Sequence, residues 1–429
     1  MDDVKKWTFY LAFLVAGFAT GIGTIGLFPQ FWLKYGITGL AVHVVFLGLF
    51  GYIALLETER VMNSGYYFVE LFTKLLRKPA LMLTFLLVIV MFLSYYSANV
   101  MLSLLSPILG TGTVGRLIAK LTMFIIMFLI LTRAKEGTFK IMAAGSILLV
   151  VAILVTTVAF KLIIPENAAY LGLAKHMLLA KNGLSGEMIK DAALRALYGV
   201  GLGFAFYLML GSFLNERFSP KLIVGSGILI QFVIGILSTV TVVYSIAPTT
   251  PARLLQYIYG GDEGAIKLMG ELPQILSSYP VLLALIAISV FFAGLTSLLP
   301  TAEVGLQIVE SMLRVSRDRA ALYLISASIA LGIFDSVPTV ADMVLKAVSI
   351  SMFFTAIYEL YPVMVGESSP IHKGLSMLSV LLFAVGGVIA FYTYGKEGGV
   401  YIISAILAAV VILFGALGNS IFAEKSGGV

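Results

Sequence analysis

Long apolar runs alternate with short polar segments along all 429 residues of the chain. Each run is close to or longer than the roughly 20 residues that cross a bilayer as a helix. In lipid a helix satisfies its own backbone hydrogen bonds, so we interpret every run as helical. The pattern predicts an all-α polytopic membrane protein with about twelve transmembrane helices. The predicted spans are 7–35, 38–62, 78–106, 114–133, 138–164, 190–215, 220–248, 279–310, 318–335, 340–365, 370–395 and 399–422.

Composition supports the membrane prediction and narrows the function. Hydrophobic residues make up 60% of the chain and charged residues only 12%, whereas a soluble domain carries roughly 25% charged residues. Cysteine is absent, and the three histidines lie far apart without metal-ligand spacing. No nucleophile–base pair, filter motif or Arg-rich voltage helix stands out, which disfavours an enzyme or a channel. The net charge of +6 forms no continuous basic patch, so nucleic acid is not an expected partner.

The distribution of Lys and Arg predicts the orientation of the chain. Lys5 and Lys6 precede the first run, which continues to about Trp32 without a convincing cleavage site, so we interpret it as a mature helix rather than a signal peptide. Segments on the side of the N-terminus hold more basic residues than segments on the opposite side, with which we count Lys120 of span 114–133. By the positive-inside rule both termini are cytoplasmic, in an inner or plasma cell membrane.

Two predicted spans contain glycine clusters that should interrupt a helix. Residues 17–29 read GFATGIGTIGLFP and residues 198–204 read YGVGLGF. Each mid-helix glycine costs up to about 1 kcal/mol relative to alanine, and a proline roughly 3. The clusters could instead serve close helix packing through small residues. However, they open two successive sets of five spans with opposite orientation, which is typical of inverted-repeat transporters.

The repeat prediction divides the chain into three parts. Residues 1–165 form a first five-helix repeat, and residues 166–366 form a second repeat with long outer loops. Residues 367–429 then hold two C-terminal spans. The predicted architecture is a five-plus-five inverted repeat with broken helices one and six, in which the breaks line a site near the middle of the membrane.

Motifs along the spans resemble those of one family. Residues 21–29, GIGTIGLFP, are similar to the pattern GLGNxWRFP, and residues 291–297, FFAGLTS, are nearly identical to a motif of the eighth span. The SYYS of residues 94–97, the GLGF of residues 201–204 and Glu57 at the end of span two match further positions. In this ordered set, over spans one to ten, the chain resembles the neurotransmitter:sodium symporter family, with its bacterial leucine-transporter-like members.

The resemblance implies a sodium site between spans one and eight. Its ligands would be the carbonyls of Gly17, Thr20 and Ala293 and the hydroxyls of Thr296 and Ser297. Neutral oxygens suit a hard monovalent cation. Alternatively, the two hydroxyls only hydrogen-bond to the backbone inside a bundle.

A second sodium site of the family has lost ligands in this chain. Thr24 stands where the family has Asn, and Gly199 stands where it has Thr. Ser238 or Thr239 in span seven could compensate, but one sodium ion is the favoured expectation.

The resemblance also implies a substrate that carries its own carboxylate. Family members that transport amines have an Asp where this chain has Gly21, so an amino acid fits better, with its carboxylate at the N–H groups of the span-one break and the Tyr96 hydroxyl. The other implied contacts offer no charge, which favours an apolar side chain. Gly201 replaces a family Ser and should leave room for a medium or large side chain. The implied substrate-binding residues are Ala19, Gly21, Gly23, Phe92, Tyr96, Tyr198, Gly201, Phe204 and Thr301.

One departure from the family concerns the outer gate. The family pairs an Arg of span one with an Asp of span ten, but the Arg position here is Leu27. We predict instead that Arg195 of span six pairs with Asp342 of span ten, with Asp335 as a substitute partner. Alternatively, Arg195 only extends its charged end to the outer membrane interface.

Together these features predict a sodium-coupled symporter of neutral, apolar amino acids that works by alternating access. A proton-coupled or exchanging transporter of the same inverted-repeat fold is the alternative. The identity of the amino acid, the ion stoichiometry, any chloride dependence and the oligomeric state stay open.

Overall fold

The computed structural model describes residues 2–165, 168–260, 271–366 and 369–419. These residues are helical and form no strand; a lone bridge joins Gly36 to Lys181. A single π-helical turn, Leu71–Leu75, follows α3. The helices are α1 (Asp2–Ala19), α2 (Ile22–Ser64), α3 (Phe68–Glu70), α4 (Pro79–Leu109), α5 (Thr113–Leu131), α6 (Lys135–Ile163), α7 (Ala168–Leu179), α8 (Gly186–Val200), α9 (Phe206–Gly211), α10 (Pro220–Ile246), α11 (Pro251–Tyr259), α12 (Pro280–Leu313), α13 (Arg317–Phe334), α14 (Pro338–Glu359), α15 (Tyr361–Val365), α16 (Pro370–Glu397) and α17 (Val400–Leu417).

Length and composition identify the membrane-crossing helices. Within the described residues, eight segments are long and apolar enough to span a bilayer. They are α2, α4, α5, α6, α10, α12, α14 together with α15, and α16. Large apolar side chains such as Leu154, Val158 and Leu162 of α6 face outward, as expected for a surface in contact with lipid. The predicted all-α polytopic fold is confirmed.

Both predicted breaks are present. The first span ends as α1 at Ala19 and resumes as α2 at Ile22. The sixth span ends as α8 at Val200 and resumes as α9 at Phe206. In the second break Gly201 and Gly203 adopt left-handed conformations, with φ of 81° and 101°, which glycine reaches without the steric cost that other residues bear. The glycine clusters therefore interrupt these helices rather than only allowing close packing.

The division into repeats at residues 165/166 and 366/367 stays a prediction. Residues 166, 167, 367 and 368 lie outside the described part of the chain. The helices that surround the first break are nonetheless well defined: α1 packs against α6, α10 and α12. This packing brings the end of α1 next to the FFAGLTS segment of α12.

Lys120, counted among the basic residues of the outer side, is not at the surface of the bundle. Its side chain is 1% exposed and lies inside the bundle on α5. The ammonium forms an ion pair with the fully buried Asp335 at the end of α13 and donates a hydrogen bond to Gly332 O at 3.2 Å. Ser94 of α4 donates to the second carboxylate oxygen of Asp335 at 2.7 Å. A sequence window cannot separate a loop lysine from one that a distant acid draws into the core.

A second internal ion pair joins α12 to α13. Arg317 binds the fully buried carboxylate of Glu303 with two hydrogen bonds of 2.6 and 2.9 Å. The same guanidinium donates to Arg133 O at 2.8 Å and to the Thr138 hydroxyl at 3.3 Å. These bonds tie the start of α6 to α12.

Candidate cation and substrate site

The break in the first span lies directly against α12. A Cβ atom added to Gly17 would stand 2.9 Å from Cβ of Thr296, so the two helices pack closely at this glycine. Ser297 donates a hydrogen bond to Phe18 O at 3.0 Å and approaches Ala293 O at 3.2 Å. The end of α1 and the middle of α12 are thus joined by side-chain-to-backbone contacts.

The residues predicted to bind sodium come together at this junction. Thr20 N donates to Gly17 O at 3.1 Å, and Thr296 donates to Phe292 O at 2.8 Å. Thr20, Ala293, Thr296 and Ser297 are all buried. The hydroxyl of Thr20 has no hydrogen-bond partner within the described part of the chain. A buried polar atom without a partner is costly, so the Thr20 hydroxyl has capacity for a further ligand.

Tyr96 reaches the other side of the break. Its hydroxyl oxygen accepts a hydrogen bond from Ile22 N at 2.7 Å. A Cβ added to Gly21 would stand 3.1 Å from this hydroxyl and 3.6 Å from the Ser297 hydroxyl. Gly21 therefore lies between the tyrosine and the cation cluster, and the absence of a side chain keeps them close.

An aromatic wall adjoins Tyr96. The Phe92 ring stacks on Tyr96 with centroids 4.7 Å apart, and Phe204 lies 4.8 Å from Phe92. Buried Thr301 donates to Ser297 O at 2.8 Å, one turn further along α12. The structure therefore brings residues of α4 and of the second break together beside Tyr96, while Thr301 lies one turn along α12 from Ser297.

The remaining predicted substrate residues occupy different environments. Ala19 is buried at the end of α1, whereas Gly21, Phe92, Tyr96 and Tyr198 are half-buried. Gly23 is exposed although it lies just inside α2. The break is therefore not fully enclosed by the packed helices, because residues packed on all sides would be buried.

The argument that Gly201 leaves room for a substrate needs correction. A Cβ at Gly201 would stand 2.5 Å from the Phe18 ring. Phe18 in turn stacks on Phe206 with centroids 3.9 Å apart. The space beside Gly201 is thus filled by an aromatic side chain of α1, which the comparison of motifs could not reveal.

A carboxylate missed by the sequence analysis holds the second break. Glu359 at the end of α14 accepts hydrogen bonds from Gly203 N, at 2.7 Å, and from Ala205 N. The sequence signal for this residue was that Glu359 is an acid within the apolar run 340–365. Glu57, the acid noted in span two, is fully buried beside this break. Within the described ranges, neither of its carboxylate oxygens has a hydrogen-bond partner.

A further missed residue is Gln231 of α10. Its Nε2 lies 3.2 Å from the position of a Cβ at Gly199, and its buried Oε1 has no hydrogen-bond partner among the described residues. The hydroxyl of Ser238, which could replace lost ligands, is also buried and unpartnered within this part of the chain. The motif comparison offered Ser238 as a replacement ligand for the second sodium site. It did not indicate Gln231, which lies seven residues earlier in the chain.

Helix α11 packs against α2 beyond the first break. Tyr257 donates its hydroxyl hydrogen to Gly26 O at 2.5 Å, and Gln30 Nε2 donates to Tyr257 O at 2.6 Å. Further out, Lys34 donates to Glu187 at 2.7 Å, and this hydrogen bond lowers the pKa of the Glu187 carboxyl. These contacts join α11 and α8 to α2 above the break.

The predicted gate pair is not formed in this arrangement. The ion pair of Asp342 is with Lys346 on its own helix, at 3.4 Å. Asp335, the substitute partner, is engaged by Lys120. Each candidate acid therefore already has a cation, and the pairing of Arg195 with Asp342 stays a prediction about another conformation.

Comparison with known proteins adds one finding. No family model matches the chain, and no curated protein matches it. Among solved structures, the chain is similar to MhsT in complex with L-phenylalanine, at 18% sequence identity and a TM-score of 0.58, over 95% of this chain and 98% of that chain. The two share a fold. The fold expected from the motif resemblance is therefore confirmed over nearly the whole chain, while the low identity leaves the chemistry to the residues of this chain.

Proposed function

We propose that the protein is a sodium-coupled symporter of neutral, apolar amino acids, of the neurotransmitter:sodium symporter type. The observation that carries the proposal is the cluster of buried neutral oxygens where the first break meets α12, joined by the hydrogen bond from the Ser297 hydroxyl to Phe18 O at 3.0 Å. Broken helices that meet at a protein-lined site are typical of secondary transporters with this architecture. The proposed membrane is the cell membrane, with both termini cytoplasmic.

The donor set suits sodium. The proposed ligands are hard, neutral oxygens, and none carries a charge that would favour a divalent ion. They are the carbonyls of Gly17, Thr20 and Ala293 and the hydroxyls of Thr296 and Ser297. A cation held there binds α1 and α12 at once. It therefore stabilises the arrangement in which these helices touch, and it shifts the population only by its differential affinity for that arrangement.

An amino-acid substrate fits the other side of the break. The Ile22 N–H and the Tyr96 hydroxyl can both donate to a carboxylate once their mutual hydrogen bond opens. Gly21 provides no carboxylate for a simple amine. Phe92 and Phe204 offer an apolar surface to the side chain. The L-phenylalanine bound by the similar MhsT supports an apolar amino acid.

The test is a binding screen of the twenty amino acids on purified protein, in sodium and in potassium. We expect one or more apolar amino acids to bind in sodium only. The double variant Thr296→Ala/Ser297→Ala should fold but lose the sodium dependence. A matched control is Ser289→Ala on the same helix, whose hydroxyl donates to Leu285 O at 2.9 Å away from the cluster. Unchanged sodium dependence in the double variant, or equal binding of amines, would refute the proposal.

Proton-coupled transport by the same fold is a second candidate. It is favoured by the buried carboxyl group of Glu57, for which the described residues provide no cation. An uncompensated charge at that depth is expensive, so a neutral, protonated form is favoured. Substrate-driven proton uptake into proteoliposomes without sodium, abolished by Glu57→Gln, would support this candidate over the first.

A further inference from the structure

Ser146 of α6 lies against the cation cluster. A Cβ added to Gly17 would stand 2.0 Å from the Ser146 hydroxyl oxygen, and the same position is 2.9 Å from Cβ of Thr296. Because a Cβ lies about 1.5 Å from its Cα, the hydroxyl is within roughly 3.5 Å of the Gly17 Cα. The residue before Ser146 is Gly145, and a Cβ added there would stand 3.3 Å from Thr296 Cγ2. A third helix therefore reaches the junction of α1 and α12.

The hydroxyl of Ser146 has the same hydrogen-bonding state as that of Thr296. It donates to Met142 O, four residues earlier, at 3.0 Å. Thr296 likewise donates to Phe292 O, four residues before it, at 2.8 Å, whereas Ser297 donates to Phe18 O of α1 at 3.0 Å. A hydroxyl that donates to its own helix keeps its lone pairs available. Ser146 is 1% exposed, so water from bulk does not supply a donor.

We propose that Ser146 provides a further oxygen ligand to the cation, which then joins α1, α6 and α12. The inference rests on the proposed function, since it assumes a cation at Thr296 and Ser297. If Ser146 only allowed α6 to pack closely, alanine would serve as well as serine, because the alanine side chain is smaller. The two roles therefore differ in what loss of the hydroxyl does to cation affinity.

The experiment measures sodium affinity directly. Tracer sodium binding and sodium-dependent thermal stabilisation are compared between the wild type and Ser146→Ala. We expect Ser146→Ala to bind sodium roughly tenfold more weakly, because the variant loses one contact to a charge with about the strength of a hydrogen bond. Substrate affinity at saturating sodium should stay within about twofold. The matched control is Ser376→Ala on α16, a buried serine whose hydroxyl has no partner among the described residues; its sodium affinity should not change.

Each outcome decides the question. Wild-type sodium affinity in Ser146→Ala would overturn the inference. So would a variant that binds no substrate at any sodium concentration, because the Ser146 hydroxyl would then be needed for the structure of the whole site rather than for cation affinity. Failure of the proposed function is recognised separately, by sodium dependence that survives Thr296→Ala/Ser297→Ala. If that double variant loses the dependence and Ser146→Ala does not weaken it, the site stands and only the third helix is excluded.

Discussion

The ion pair between Lys120 and Asp335 allows a quantitative test of the packing inside the bundle. Both side chains are almost fully buried, at 1% and 0% exposure. The Ser94 hydroxyl donates a hydrogen bond to the Asp335 carboxylate at 2.7 Å, and the Lys120 ammonium donates one to Gly332 O at 3.2 Å. Removing one partner of such a pair leaves an unpaired charge where water cannot reach it, which costs about 3–5 kcal/mol.

We therefore expect Lys120→Met and Asp335→Asn each to destabilise the protein by about 3–5 kcal/mol. In Lys120→Met the carboxylate keeps only its bond from Ser94. In Asp335→Asn the ammonium keeps only weaker neutral acceptors. The double variant removes both charges, so it should be less destabilised than either single variant, with a coupling free energy of at least about 3 kcal/mol.

The assay is denaturant or thermal unfolding of the four proteins in detergent without sodium or substrate. A control cycle uses Lys135 and Glu310, which lie 3.8 Å apart with side chains 37% and 29% exposed. That exposed pair should couple by less than about 1 kcal/mol. Additive losses in the Lys120–Asp335 cycle, or a wild-type stability for either single variant, would refute the reasoning.

Three further variants test the candidate site. Tyr96→Phe should weaken substrate binding by about 1.5–3 kcal/mol, the range for hydrogen bonds to charged groups, without changing the unfolding midpoint; an unchanged dissociation constant would contradict the carboxylate contact. Gly17→Ala places a Cβ 2.0 Å from the Ser146 hydroxyl, so it should cost about 1–3 kcal/mol of stability and weaken sodium binding, whereas Gly48→Ala, with open space around it, should do neither. Glu359→Gln removes an acceptor from the two backbone N–H groups of the second break and should lower the unfolding stability by about 1–3 kcal/mol; wild-type stability would show that the break does not depend on it.

The two breaks could be predicted from the sequence because their cause is local. Glycine clusters weaken a helix wherever they occur, and their positions at spans one and six matched a known repeat pattern. The approach of Thr296 and Ser297 to Gly17 followed from motif order, since a shared fold places those spans side by side. Local cause and shared topology together account for most of the candidate cluster.

The misses have a different physical origin. Lys120 and Asp335 are separated by 215 residues, and nothing local to either residue predicts that they meet in the core. The space beside Gly201 depends on the rotamer of Phe18, and the role of Ser146 depends on how closely α6 approaches α1. Each is a side-chain contact between distant segments, so it becomes visible only when the helices are packed.

Arg317 bonds to Glu303 of α12 and to Thr138 of α6, and we call this set of contacts the Arg317 clamp. It limits how far α6 can separate from α12. Glu303 lies six residues beyond Ser297 on α12, and Thr138 lies eight residues before Ser146 on α6, so the clamp is about 9–12 Å along the helices from the cation cluster. Glu303 is fully buried, while the Arg317 side chain is 13% exposed. Moving the guanidinium outward would leave a buried carboxylate without a cation, at a cost of several kcal/mol. Opening of this end therefore requires water, or another cation, to reach Glu303 as Arg317 leaves.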